Sequence, residues 1–299
     1  MDLAPINVLI SLHKGYGLGD AVQMSAVLQH VAKYRPHWKV DYQAERGREV
    51  VGRGLVSNVF VYGDPYPSQH YDAEVEILLF DTWSNWQDRP NTRVSSCLHE
   101  RFGLPWDSEC GRYVINVRNR AMDQANALVH RNSPPDTKYV AIHYQGDSSQ
   151  NKKNLSEAEA DTICSTIMDL GMQPVILDWR HRSSLRHRKL WSPSHWGPDA
   201  EMNCAVIWQC VAFIGIDSGP SKCASSTDVP SLVIWTGHHP APFHDPAPNT
   251  THLVPVGYHG LEPVCNDAGV IEWFEKHHNV ITYDNNLTRV VKHWLKEVL

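Results

Sequence analysis

The stretch Ile6-Asn-Val-Leu-Ile-Ser-Leu12-His-Lys-Gly15-Tyr-Gly17-Leu-Gly19-Asp20 sets the fold class of this 299-residue chain. The apolar run from Ile6 to Leu12 predicts a buried strand. Three glycines then turn the chain, and Asp20 opens a helix to about Tyr34, with Val22, Ala26, Val27, Leu28 and Val31 at helical spacing. Pro36 closes that helix. Strand, glycine turn and helix in immediate succession are the first half of a βαβ unit, and the rest of the chain repeats the rhythm.

Strands are expected at Lys39–Gln43, Asn58–Tyr62 and Glu74–Phe80, with a helical stretch near Glu45–Gly52. Asn91–Phe102 and Asn119–His130 pattern as helices, and Ser133-Pro-Pro-Asp-Thr137 breaks the chain. The expected domains are therefore residues 1–133 and 134–299. The second half predicts strands at Tyr139–Tyr144, Pro174–Asp178, Ala212–Ile216 and Ser231–Trp235. Between and after them come helices at Ser156–Leu170, Glu201–Cys210, a short one from Gly219, then Ala268–Lys276 and Leu287–Val298. Such alternation predicts an α/β protein with two Rossmann-like domains, each a parallel sheet covered on both faces.

A net charge of −6 and a pI near 6.3 exclude a global basic field, so nucleic acid is not an expected partner. Any anionic ligand must be held by local groups. The N-terminal residues lack a signal-peptide pattern, and no apolar run approaches the roughly 20 residues that span a bilayer. Peripheral membrane contact stays open. Seven scattered cysteines, odd in number and never spaced C-x-x-C, argue against a disulfide framework or zinc site and for a cytoplasmic location.

Three segments carry candidate chemistry. In Gly15-x-Gly17-x-Gly19-Asp20 the glycines permit close backbone approach, but the dinucleotide fingerprint has a glycine where this chain has Asp20. A carboxylate there repels a pyrophosphate and suits a neutral acceptor hydroxyl, for which Asp20 is a candidate general base. The plain alternative is a first-turn helix-capping aspartate. In Ile214-Gly-Ile-Asp-Ser-Gly-Pro-Ser-Lys222 a strand turns into a helix whose N–H groups around Ser218–Ser221, Pro220 excepted, form an anion site. Lys222 in the first turn opposes the helix dipole unless an anion lies in front of it; otherwise Asp217 is a cap and Lys222 extends to water. The loop Gln145–Asn154 offers Lys152 or Lys153 as a second cation, with Ser148 and Ser149 as hydroxyl donors, or is simply a polar loop.

No Asp-x-Asp occurs, so no metal or cofactor is expected, and Ser218 lacks the Gly-x-Ser-x-Gly setting of a nucleophile elbow. His238, His239 and His244 form the densest histidine cluster, with a metal role there the lesser of two readings.

Gly17-Leu-Gly-Asp-Ala-Val22 resembles the heptosyltransferases of glycosyltransferase family nine, and Gly215-Ile-Asp-Ser-Gly-Pro-Ser-Lys-Cys-Ala224 followed by Val229-Pro-Ser-Leu-Val-Ile-Trp235 resembles that family's donor-site signature. The Lys152–Lys153 loop falls where the family carries a phosphate-binding basic residue. The resemblance implies a GT-B fold, with an N-terminal acceptor domain and a C-terminal donor domain. It also implies inverting, metal-independent transfer of a heptose from an ADP-sugar, typically to lipopolysaccharide core, with protein or small-molecule acceptors open. Asp20 would be the base, with Gly17 and Gly19 in the acceptor-side loop. Asp217, Ser218, Gly219, Pro220, Ser221 and Lys222 would hold the donor with Lys153 or Lys152, and Asp178 would meet its ribose. The family usually has histidine at the position of Lys222, and Asp81-Thr-Trp-Ser-Asn-Trp86 matches no pattern of it. Rival readings are a nucleotide-sugar epimerase or hydrolase, and a non-catalytic nucleotide-sugar-binding protein.

Overall fold

The computed structural model describes residues 4–64, 70–79, 92–131, 133–134, 136–147, 150–190, 199–257, 268–284 and 286–299. Phe80, Asp81–Trp86, Asn91, Ser148 and Ser149 lie outside the described residues.

Two parallel sheets organise the chain. In the first, β1 (Ile6–Leu12) lies between β2 (Trp38–Ala44) and β4 (Ala73–Ile77), with β3 (Asn58–Val61) outside β2. Helices α1 (Leu18–Tyr34), α2 (Arg93–Phe102) and α3 (Asn119–His130) accompany it. The second sheet holds β5 (Tyr139–His143), β6 (Gln173–Leu177), β7 (Arg188–Leu190), β8 (Ala212–Ile216), β9 (Ser231–Ile234), β10 (Thr250–Pro255) and β11 (Asn279–Tyr283). Their order is β11-β10-β9-β8-β5-β6-β7. With them run α4 (Gln150–Lys153), α5 (Glu157–Asp169), α6 (Ala200–Trp208), α7 (Gly219–Ser225), α8 (Pro240–Phe243), α9 (Ala268–His277) and α10 (Leu287–Val298).

Strand order reverses at β1 in one sheet and between β5 and β8 in the other. Open α/β sheets form ligand crevices at such points, outside the carboxyl ends of the strands. The loops after β1, β5 and β8 are the three segments that carry the candidate chemistry.

The sequence patterns miss β7, β10 and β11, and the helix expected near Glu45–Gly52 is corrected to a turn and a 3-10 segment at Glu49–Gly52. Glycines break it. Gly47 and Gly54 sit at φ +83° and +74°, and a Cβ on Gly52 would come 2.7 Å from the Tyr42 ring.

The two sheets share a seam with the character of a core. Val22 and Leu28 of α1 belong to one buried apolar cluster with Ala200 and Cys204 of α6 and Cys223 and Ala224 of α7. α1 and α7 meet end to end at Gly19 and Gly219, where a Cβ on Gly219 would lie 2.7 Å from Leu18 Cβ and 3.1 Å from the Gly19 nitrogen. The buried Glu201 carboxylate of α6 accepts from Arg53 Nη1 at 2.6 Å and from Arg118 Nε and Nη2 at 2.8 and 2.6 Å. A second cluster on the far face of the larger sheet joins Ile142, Ile163, Leu253, Trp294 and Leu295.

Candidate functional site

A cleft of about 630 Å³ opens between the sheets at the carboxyl ends of their strands. Gly17, Gly19 and Asp20 line it from one side; Lys153, Asp178, Asp217, Ser218, Gly219, Pro220 and Lys222 line it from the other. A hollow of about 970 Å³ at the amino ends of β5 and β6 contains none of the candidate residues.

Asp20 stands in the first turn of α1, where Oδ2 accepts the Gly17 N–H at 3.1 Å. This is the capping contact, and it leaves Oδ1 to a second partner. That partner is Arg93, the first residue of α2, whose Nη1 lies 3.1 Å from Oδ1. Gly19 serves packing: a Cβ there would meet Lys222 Cδ at 3.3 Å and Gly219 Cα at 3.5 Å.

Opposite, Asp217 closes β8 with its side chain buried. Lys153 Nζ stands 2.7 Å from Oδ2, poorly aligned for a hydrogen bond, and Lys222 Nζ stands 3.8 Å from Oδ1. Burial alone would raise the Asp217 carboxyl, but the charges of Lys222 and Lys153 outweigh it and hold the group below its ordinary range. Lys222 is 5% exposed, and burial pulls its ammonium down against the attraction of Asp217 and Asp20. Arg93 thus pairs with Asp20, while Lys153 and Lys222 both lie against the one carboxylate of Asp217.

Ser218 Oγ pairs with His143 Nδ1 at 3.0 Å, and burial, then Arg182, pushes His143 down to about 4. His143 is therefore neutral at pH 7. Ser221 does not face the cleft: it is buried, and its hydroxyl donates to the Ile216 carbonyl to close the turn. Lys152 is also outside the cleft, exposed, with its carbonyl accepting from Thr236 Oγ1 at 2.9 Å. Asp178 lines the cleft, but its oxygens already accept the N–H groups of Arg182 and Ser183 at 2.8 and 3.0 Å.

Arg93, His143 and Phe243 escape the sequence reading. Phe243, the last residue of α8, stacks under the Arg93 guanidinium at 4.2 Å and lies 5.9 Å from Lys153 Nζ. Arg93 did carry a signal, since a cation at a helix start opposes the dipole just as Lys222 does.

The structure regroups the histidines. His238 packs on Phe243, and His239 Nδ1 accepts the Ala241 N–H at the start of α8. His244 instead joins His252 and His278, all buried, with one ring nitrogen of each within 4.8 Å of the others. Their hydrogen bonds fix the protons. Indole donates only, so Trp235 Nε1, 2.9 Å from His252 Nδ1, makes that nitrogen an acceptor and places the proton of the neutral ring on Nε2. That N–H faces His278 Nδ1 at 3.2 Å, which leaves the proton of His278 on Nε2, a buried atom with no hydrogen-bond partner among the described residues. His244 donates from Nδ1 to the Asp245 carbonyl at 2.8 Å and keeps its lone pair on Nε2. Metal ligation takes a lone pair from each ring and a second-shell acceptor for its N–H. Only His244 meets both conditions, so the trio as built does not fit a metal.

No protein-family model matches the chain, and no curated protein matches it in sequence. Solved structures do match. The glycosyl transferase family 9 protein of Veillonella parvula aligns over 99% of this chain and 92% of its own at 13% identity, with a TM-score of 0.59. The ADP-heptose LPS heptosyltransferase II of E. coli aligns over 98% of both chains at 11% identity, with a TM-score of 0.64. The E. coli heptosyltransferase WaaC with ADP covers 98% of this chain and 100% of that one at 14% identity, TM-score 0.55.

The fold is GT-B. At such identities the likeness is one of architecture. Among the described residues no helix is long and apolar enough to cross a membrane.

Proposed function

We propose that the chain is an inverting glycosyltransferase that needs no metal. It takes a heptose or related sugar from a nucleoside diphosphate donor, ADP-sugar favoured, to the hydroxyl of a glycan, lipid-linked or small-molecule acceptor. One observation carries the reading: Lys153 and Lys222 share a single buried carboxylate, Asp217, in a cleft wall. A buried cation in excess is costly until an anion neutralises it, and a departing diphosphate supplies that charge as the reaction proceeds.

In this mechanism the acceptor hydroxyl gives its proton to Asp20 as its oxygen bonds the anomeric carbon. The bond from that carbon to the donor's phosphate oxygen breaks, its electron pair leaving with the nucleoside diphosphate. Lys153 and Lys222 receive that charge from one side of the cleft while Asp20 receives the proton on the other. Attack opposite the leaving group inverts the anomeric centre. The roles of Ser218 and Gly219 toward donor sugar and phosphate, of Asp178 toward the ribose, and the division into residues 1–133 and 134–299 belong to the same proposal.

The test is a thermal-shift screen of ADP-, GDP-, UDP- and dTDP-sugars, followed by turnover of the best ligand with an acceptor panel. A donor at about 100 times its Kd adds roughly 2.7 kcal/mol of stability. Asp20→Asn should keep that shift and lose turnover. Undiminished turnover in Asp20→Asn removes the base assignment; no shift with any nucleotide sugar removes the transferase reading.

A further inference from the structure

Asp20 does not orient itself. Its Oδ2 is fixed by the Gly17 N–H, a contact within its own turn, but Oδ1 depends on a residue 73 positions away. Arg93 is 6% exposed, with its guanidinium between the Asp20 carboxylate and the face of Phe243. The planar group is gripped on an edge and on a face, and both contacts restrict its rotation.

The backbone beneath Arg93 is held as firmly. Thr92 caps α2 by accepting the Ser95 N–H at 3.1 Å, and its hydroxyl donates to Asp245 Oδ1 at 2.8 Å. Tyr113 OH donates to the other oxygen of Asp245 at 3.1 Å. Asp245 and Phe243 belong to the segment after β9 in the larger sheet, whereas Thr92, Arg93, Tyr113 and Asp20 belong to elements before β5. The base on one side of the cleft is therefore aimed by a residue whose own position is set from the other side.

We propose that Arg93 is the positioning residue for the Asp20 carboxylate, and that Phe243 and Asp245 hold it in register across the seam. The proposal rests on the transferase reading of the cleft. Arg93 acts on turnover through Asp20. The anionic donor is bound by Lys153 and Lys222, so donor affinity is independent of Arg93.

The experiment is a double-mutant cycle on the full chain with the donor identified by the thermal-shift screen. Arg93→Met should lower kcat on the order of 10²-fold, the cost of a misaimed reacting group, with donor Kd changed by less than about threefold. The retained Kd also certifies the fold. Arg93→Lys keeps the charge but loses the fork and should recover only part of the rate; added guanidinium should restore turnover to Arg93→Gly. In an Asp20→Asn background, Arg93→Met should cost nothing further, because residues acting as one unit are not additive. Additive losses in the cycle, or equal losses in donor affinity and kcat, overturn the positioning role and leave the transferase reading standing. A wild-type protein that binds no nucleotide sugar overturns both.

Discussion

Acidification from pH 7 to pH 5 should destabilise this protein through its buried histidines. Burial holds His143 at about 4 and His244 at about 3, against an ordinary value near 6.5. In that window the unfolded chain binds a proton at each ring that the folded chain refuses, so stability falls as pH falls. Each site loses about 2 kcal/mol between pH 7 and pH 5, about 4 kcal/mol together. Asp245 acts in the opposite sense. Burial raises it to about 6, so the folded state takes up a proton between pH 6 and pH 4 that the unfolded state does not, returning about 1 kcal/mol. The balance is a loss of roughly 2 to 3 kcal/mol, and His30, His252 and His278, all lowered mainly by burial, add to it in the same direction. Urea unfolding followed by tryptophan fluorescence at pH 7, 6 and 5 measures this directly, with a fall in Tm of roughly 5 °C as a second readout. A stability that is flat or rising over that interval would refute the neutral, desolvated state assigned to these rings.

Gly219→Ala should destabilise by about 1 to 3 kcal/mol, since the added methyl overlaps Leu18 and the Gly19 backbone at the seam, and chemical denaturation reads the loss. Glu201→Ala removes the buried acceptor of Arg53 and of the exposed Arg118, both of which water can then solvate, and should cost about 1 to 2 kcal/mol; a change near zero in the same assay would show that the seam ion cluster adds no stability.

The legible parts of the fold are those written locally. The runs at Ile6–Leu12, broken only by Asn7 and Ser11, and at Ala212–Ile216 are mostly apolar because both faces of a parallel strand are covered. β10 was hidden by two threonines, His252 and Pro255, residues whose partners lie in other elements. Lys222 was legible as a cation on the wrong end of a helix. Arg93 breaks the same rule, but the carboxylate that gives it meaning is in another helix. Spacing in the chain likewise grouped His244 with His238 and His239, whereas sheet pairing brings it to His252 on β10 and His278 beside β11. Ser221 reads from its place in the turn as part of an anion site through its N–H; what the fold adds is that its hydroxyl is committed to the Ile216 carbonyl.

The lysine pair in the cleft is best examined by calorimetry of nucleoside diphosphate binding to the unaltered protein and to Lys222→Met. Loss of that ammonium should weaken binding at least tenfold, about 1.4 kcal/mol. Equal affinity in the two proteins would mean that the diphosphate does not lie against Asp217, Lys153 and Lys222, and would contradict the assignment of this cleft as a donor site.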